Sequence, residues 1–174
     1  MEPRLGGPVS GDEIPPVDYL SWYVPRLQEN WPHDLSQSGF AYDWDLNLDH
    51  NKMLRFWKSG ANPADWVAAR YGVGVNQVCV THGVCQAISL AILAALPEDG
   101  PRAVGVEMPS FAVVSQCARL LGCEAIPFHR GPNTGEWRLN RDEVSAILPK
   151  VGVIALTPVM NPTGEMISKD DEEW

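Results

Sequence analysis

Residues 152–157 read Gly-Val-Ile-Ala-Leu-Thr. A strand this continuously apolar fits a sheet covered on both faces, as in parallel sheets flanked by helices. Parallel strands need crossover connections, usually helical, because a tight hairpin cannot join them. The upstream sequence supplies both kinds of segment. Gln77–Thr81, Ala103–Glu107 and Glu124–Phe128 read as short strands. Val84–Leu96 reads as a helix apolar nearly all round, ended by Pro97. A helix beginning at Pro109-Ser110 carries Phe111, Val114, Ala118 and Leu121 toward Gly122. Asn140 caps a short helix, Arg141–Leu148, with Asp142 and Glu143 in its first turn, where the dipole favours acids. Further upstream, Asn62 and Pro63 open a helix that Gly72 closes, with Ala64, Val67, Ala68 and Tyr71 on a buried stripe. Strands alternating with helices predict an α/β layer fold.

The chain has 174 residues, 45% of them apolar, enough for one globular core. Its formal net charge of -9 repels phosphate backbones and anionic lipid, which argues against nucleic-acid and membrane-surface roles. A small anion can still bind at a helix terminus, because that field is local. The longest apolar run, Ala87–Leu96, is too short to span a bilayer, and the N-terminus has no secretory h-region. A soluble cytoplasmic protein is expected. Cys79, Cys85, Cys117 and Cys123 make no C-x-x-C pair and are expected as small buried thiols. The four histidines show no metal-ligand spacing, so no metal is expected.

Residues 1–16, rich in Pro and Gly, read as a loose arm. Val17–Trp31 is aromatic, and Pro25 limits any helix there to short pieces. Asp34–Leu48 is ambiguous. The expected organisation is therefore an irregular N-terminal segment, 1–61, followed by an α/β domain, 62–174.

In open α/β sheets, ligands bind beyond the carboxyl ends of the strands. Three such ends carry chemistry. At Thr81-His82-Gly83-Val84-Cys85 a strand turns into a helix, whose first N–H groups form an anion site. Taken alone, a plain β-to-α turn with a packing glycine is the favoured reading. At Glu107-Met108-Pro109-Ser110-Phe111 an aromatic stands where it can lie against a planar ring. In isolation a core phenylalanine at a helix start is the favoured reading. At Met160-Asn161-Pro162-Thr163-Gly164 the proline holds Asn161 extended, and its amide can donate to a phenolate oxygen. An ordinary Asn-Pro turn reads equally. A nucleotide-binding α/β domain using Gly83 is a further alternative, weakened by the lack of G-x-G-x-x-G.

Taken together, the order and spacing of these three segments resemble the large domain of pyridoxal-phosphate-dependent fold-type I aminotransferases, class I/II. The resemblance runs from about Asn62 to Ser168 and includes "ARLLGCEAIPF". Nearer the N-terminus, "WPHDLSQSGF" is similar to the start of capreomycidine-synthase-like members. The resemblance implies a partial three-layer sandwich with a mostly parallel sheet. It implies that Gly83, Val84 and Cys85 hold the cofactor phosphate, that Phe111 stacks on the pyridine ring, and that Asn161 bonds the ring oxygen. It implies an amino acid or keto acid as substrate.

The same resemblance implies an aspartate on the pyridine nitrogen, a tyrosine, the Schiff-base lysine, a phosphate-binding arginine and a small domain. All of these follow the N-P-T-G segment in the family. Lys52, Lys58, Lys150 and Lys169 match none of those positions, so no catalytic residue is assigned. Ser168 is a good N-cap, with Asp170, Asp171 and Glu172 suited to a first turn, yet only six residues follow it. The expectation is a chain truncated after the N-P-T-G turn and inactive alone. It reads as a fragment, as a half-enzyme completed by a homo-oligomer or partner chain, or as a non-catalytic binding module.

Overall fold

The computed structural model describes residues 18–26, 49–131 and 137–174. The expected N-terminal arm, the ambiguous stretch 34–48, most of the turn at 131–135, and the stretch behind the second likeness lie outside the described residues. The chain forms two compact units, residues 29–81 and residues 1–28 with 82–174.

In the unit 29–81 the helices follow their capping residues. Helix α1 itself, Asp18–Arg26, belongs to the other unit and carries Pro25 near its end. Helix α2 spans His50–Lys58; Asp49 Oδ1 accepts from the Asn51 and Lys52 N–H groups at 2.9 and 3.3 Å. Helix α3 spans Pro63–Tyr71; Asn62 Oδ1 accepts from the Ala64 N–H at 3.0 Å, and Gly72 closes the helix at φ 67°. A side-chain cap of this kind stabilises a helix by about 1 kcal/mol. The buried stripe is narrower than expected. Ala64 and Ala68 are buried, whereas Val67 and Tyr71 are exposed, because among the described residues no element of the unit covers their side of α3. Phe56 and Trp66 meet edge to face at 5.5 Å and join α2 to α3.

The strand expected at Gln77–Thr81 is absent. Val75–Gln77 forms a 3-10 turn, and residues 78–81 join no strand ladder among the described residues. Strand propensity is realised only where a neighbour completes the ladder.

The second unit holds helix α4 (Val84–Ala95), strand β1 (Ala103–Met108), helix α5 (Val113–Leu120), strand β2 (Glu124–His129), helix α6 (Arg141–Ile147), strand β3 (Val153–Ala155) and helix α7 (Lys169–Glu173). The sheet is three-stranded, ordered β2-β1-β3, and entirely parallel. Val104 pairs with Ala125 on one side and Val153 on the other.

Central β1 is buried along its length, and its successive residues face opposite sides of the sheet. Val104 and Val106 pack with Ile92 of α4 and with Cys117 and Ala118 of α5. On the opposite face, Phe128, Leu139, Val144 and Ile147 gather beneath α6. Full burial of Phe128 contributes about 2–3 kcal/mol. Gly105 lies on this second face, where an added Cβ would stand 3.1 Å from Ile147 Cδ1. Its missing side chain lets α6 approach the sheet. The layers are thus helix, parallel sheet, helix: a mixed α/β architecture of the class expected.

Three local expectations are corrected. Strand β3 is half-buried rather than covered on both faces, because its outer edge pairs with no strand among the described residues. Helix α5 begins at Val113, leaving Phe111 in the connection before it. Only Cys117 and Cys123 are buried; Cys79 and Cys85 are exposed.

Candidate functional site

Because β1 and β3 are parallel, the segments that leave their carboxyl ends emerge at the same edge of the sheet. Those segments carry Phe111 and Asn161. Helix α4 also points its start toward this edge. Its far end, Leu96 and Pro97, packs against Gly152 at the amino end of β3; an added Cβ on Gly152 would lie 3.2 Å from Leu96 Cδ2 and 2.8 Å from Pro97 Cδ. A 12-residue helix is roughly 18 Å long. The Gly83 end therefore lies toward the opposite, carboxyl edge.

Gly83 adopts φ 86°, ψ 173°, a combination open to glycine and strained for any other residue. Apart from its chain neighbours, no atom of the described residues lies within 4 Å of where its Cβ would stand. No side chain caps α4, and Val84 and Cys85, in its first turn, are exposed. First-turn N–H groups have no acceptor inside the helix and carry its positive pole. Two contacts hold this turn in place: Gln86 Oε1 accepts from the His82 N–H at 2.6 Å, and Cys117 Sγ donates to Cys85 O at 3.4 Å.

Phe111 is 41% exposed, so it is no core residue. Asn161 is exposed at the tip of a tight hairpin. Val159 and Met166 bridge its two limbs, Met160 N–H donates to Glu165 O at 2.9 Å, and Gly164 N–H donates to Met160 O at 2.7 Å. Gly164 takes φ 77°, and the Asn161–Pro162 peptide is cis. Met160, fully buried, anchors the hairpin from below. A cavity of about 390 Å³ runs along α4 and β3, with Ser110 and Thr157 among the residues that line it.

Beneath these loops lies a buried charge pair that patterning alone did not single out. Arg130 Nη1 donates to Glu107 Oε1 at 3.0 Å, and both side chains are 1% exposed. The other Glu107 oxygen accepts from the Thr157 N–H and hydroxyl at 3.1 and 2.5 Å. The available signal was an acid near the end of the otherwise apolar strand "AVGVE", and a cation closing "AIPFHR".

Downstream, Ser168 caps α7 and accepts from the Asp171 N–H at 3.1 Å. Asp171 is buried. Burial acts to raise its pKa, but hydrogen bonds from Arg141, Ser168 and the Leu139 N–H, with the Arg141 charge, hold the carboxyl below its ordinary range. The same pair raises Arg141: the Asp171 hydrogen bond, opposed by desolvation, is joined by Asp170. Among the described residues no three His, Cys, Asp or Glu side chains gather as a metal site. No helix among them is long and apolar enough to cross a membrane.

A helix start, a strand-end aromatic and an exposed amide directed to one edge of the sheet are the kinds of group that suit a flat ring bearing a phosphate. The comparisons with known proteins point the same way. Histidinol-phosphate aminotransferase from Synechococcus sp. is 26% identical over 164 residues, 94% of this chain and 45% of that protein. Histidinol-phosphate aminotransferase from Escherichia coli is 30% identical over 100 residues, 58% of this chain and 27% of that protein. The chain thus spans less than half the length of the curated relatives it matches. Alanine aminotransferase from Pyrococcus furiosus shares the fold with a TM-score of 0.55 at 20% identity, covering 71% of this chain and 35% of its own. α-Aminoadipate aminotransferase from Thermus thermophilus, solved with N-(5'-phosphopyridoxyl)-L-leucine, matches with a TM-score of 0.50 at 27% identity, covering 63% of this chain and 28% of its own. The family model for aminotransferase class I and II matches residues 64–173. The chain belongs to the class I and II aminotransferases, a family dependent on pyridoxal phosphate.

Proposed function

We propose that this chain forms the cofactor-gripping half-site of a pyridoxal-phosphate-dependent aminotransferase that moves an amino group between an amino acid and a keto acid. The observation that supports the reading is that parallel β1 and β3 send the segments bearing exposed Phe111 and exposed Asn161 out at one edge of the sheet, the edge toward which the start of α4 points. The Gly83, Val84 and Cys85 backbone would hold the phosphate, with the helix dipole favouring its charge. Phe111 would lie against the ring and fix its plane. The Asn161 amide would donate to the ring oxygen and favour its ionised form. Once bound, the cofactor supplies a pyridine ring that withdraws electrons from the amino-bearing carbon.

The large domain is taken as residues 62–174, which contain the whole of the matched region. This chain is read as binding the cofactor without transaminating alone. Its four lysines, Lys52, Lys58, Lys150 and Lys169, are all exposed, and Lys150 precedes β3 at the amino edge. The proton-moving, cofactor-anchoring lysine is then supplied by a completing partner chain in the cytoplasm, since a second copy would bring only the same four lysines. Exposed apolar residues on α4 support that part of the reading: Val84, Leu90 and Leu93.

The test is a titration of the chain with pyridoxal phosphate, followed by absorbance. Weak saturable binding is expected, with no covalent label after borohydride, and Gly83→Asp should abolish it. Binding unaffected by that substitution, or none at millimolar cofactor, rules the half-site out.

A further inference from the structure

We infer that Arg130, held by Glu107, is the positioning residue of the Asn161 hairpin. Its effect on the cofactor rests on the proposed half-site, whereas its effect on the hairpin does not. Arg130 follows β2, and its guanidinium is fully enclosed. Nη1 donates to Thr157 O at 3.1 Å, and Nη2 donates to Glu165 O at 2.9 Å. These two carbonyls lie on opposite limbs of the hairpin that presents Asn161. Nε donates to Trp137 O at 3.1 Å, completing the fork.

Pro158 and Pro162 have no N–H to donate. The hairpin's cross-limb backbone bonds include Met160 N–H to Glu165 O and Ile167 N–H to Pro158 O. The guanidinium adds a tie from beneath, and its planar fork reaches both carbonyls at once. An ammonium is a point donor on a flexible stem and lacks that fixed reach. Glu107 fixes the other end: one oxygen orients Arg130, and the other takes both donors of Thr157. A buried ion pair is by itself weak evidence for stability. Here its donors are directed to the base of a loop, which is the signature of positioning.

The test variant is the paired substitution Arg130→Met with Glu107→Gln, which leaves no unpaired buried charge. Amide hydrogen exchange is followed without cofactor. The Met160 and Gly164 amides should exchange at least about tenfold faster, while the Val144 amide of α6, bonded to Asn140 O, keeps its rate. Arg130→Lys should fail to restore the slow rates. Unchanged hairpin amides, equal acceleration in α6, or full rescue by lysine would each overturn the inference.

With cofactor, Asn161→Ala should raise the pH at which the bound ring oxygen ionises. The paired variant should reproduce that displacement, and combining the two should add nothing further. A displacement with Asn161→Ala but none with the paired variant also overturns the inference. Failure of the unaltered chain to bind cofactor would sink the half-site reading, while the exchange rates still decide the role of Arg130.

Discussion

Arg141 reaches one oxygen of Asp171 with two donors, Nε at 3.0 Å and Nη2 at 2.8 Å, across 30 residues of chain. The contact fastens α7, only five residues long, to the start of α6. A helix this short does not persist in isolation. Its order comes from this tether and from the Ser168 cap.

Asp171→Asn should therefore destabilise the fold by about 2 kcal/mol at neutral pH, read as a shift in urea midpoint. The direction of the pH dependence follows from the lowered carboxyl of Asp171. Its stabilising contribution is fully present above the unfolded-state pKa and disappears as pH falls through the folded-state value. Between about pH 5 and pH 2 the difference between the original chain and Asp171→Asn should shrink. A difference that grows on acidification would contradict this assignment.

Gly152 offers a second test of the fold. A Cβ there would stand 2.6 Å from Pro101 O, a backbone atom that cannot swing aside. Gly152→Ala should cost roughly 2–3 kcal/mol by overpacking. Gly60, at φ 69°, has no atom within 4 Å of its Cβ position, so Gly60→Ala meets only backbone strain. It should cost about 1–2 kcal/mol. Paired denaturation curves distinguish a packing glycine from a turn glycine.

The capping residues were legible because their hydrogen bonds close within three residues. Asn62, Asn140 and Ser168 each accept from a nearby backbone N–H, and the side-chain chemistry for that is local. The strand-helix alternation of 103–157 was legible for the same reason. What the sequence concealed depends on partners distant along the chain. Arg130 and Glu107 are 23 residues apart, and neither names the other. Val78–Thr81 has strand composition, but a strand exists only with a neighbour. Tyr71 has helical spacing with Ala64 and Ala68, but periodicity cannot say how wide a face is covered. Phe111 was ambiguous between core and surface until its exposure was known.

Phe111 should separate binding from stability. Its ring is substantially exposed, so Phe111→Ala should change the folding free energy by less than about 1 kcal/mol. If the ring lies against the cofactor, the same substitution removes about 0.5–1.5 kcal/mol of aromatic contact. That corresponds to roughly a two- to thirteenfold weaker dissociation constant. A large loss of stability with unaltered affinity would return Phe111 to a packing role.

Gly83 combines both kinds of effect, and two substitutions resolve them. At φ 86° and ψ 173° an alanine is strained although nothing crowds its Cβ. Gly83→Ala should thus cost about 1–3 kcal/mol of stability through the backbone alone. Gly83→Asp carries the same strain and adds a negative charge beside the first-turn N–H groups. In the absence of cofactor the acid should be the milder change, because a carboxylate at a helix start is favoured by about 0.3–1 kcal/mol. With pyridoxal phosphate the order should invert, since the carboxylate competes with the phosphate for those donors and repels its charge. Thermal melts with and without cofactor read both orders in one experiment. If Asp and Ala lose cofactor affinity equally, the phosphate does not sit at the start of α4.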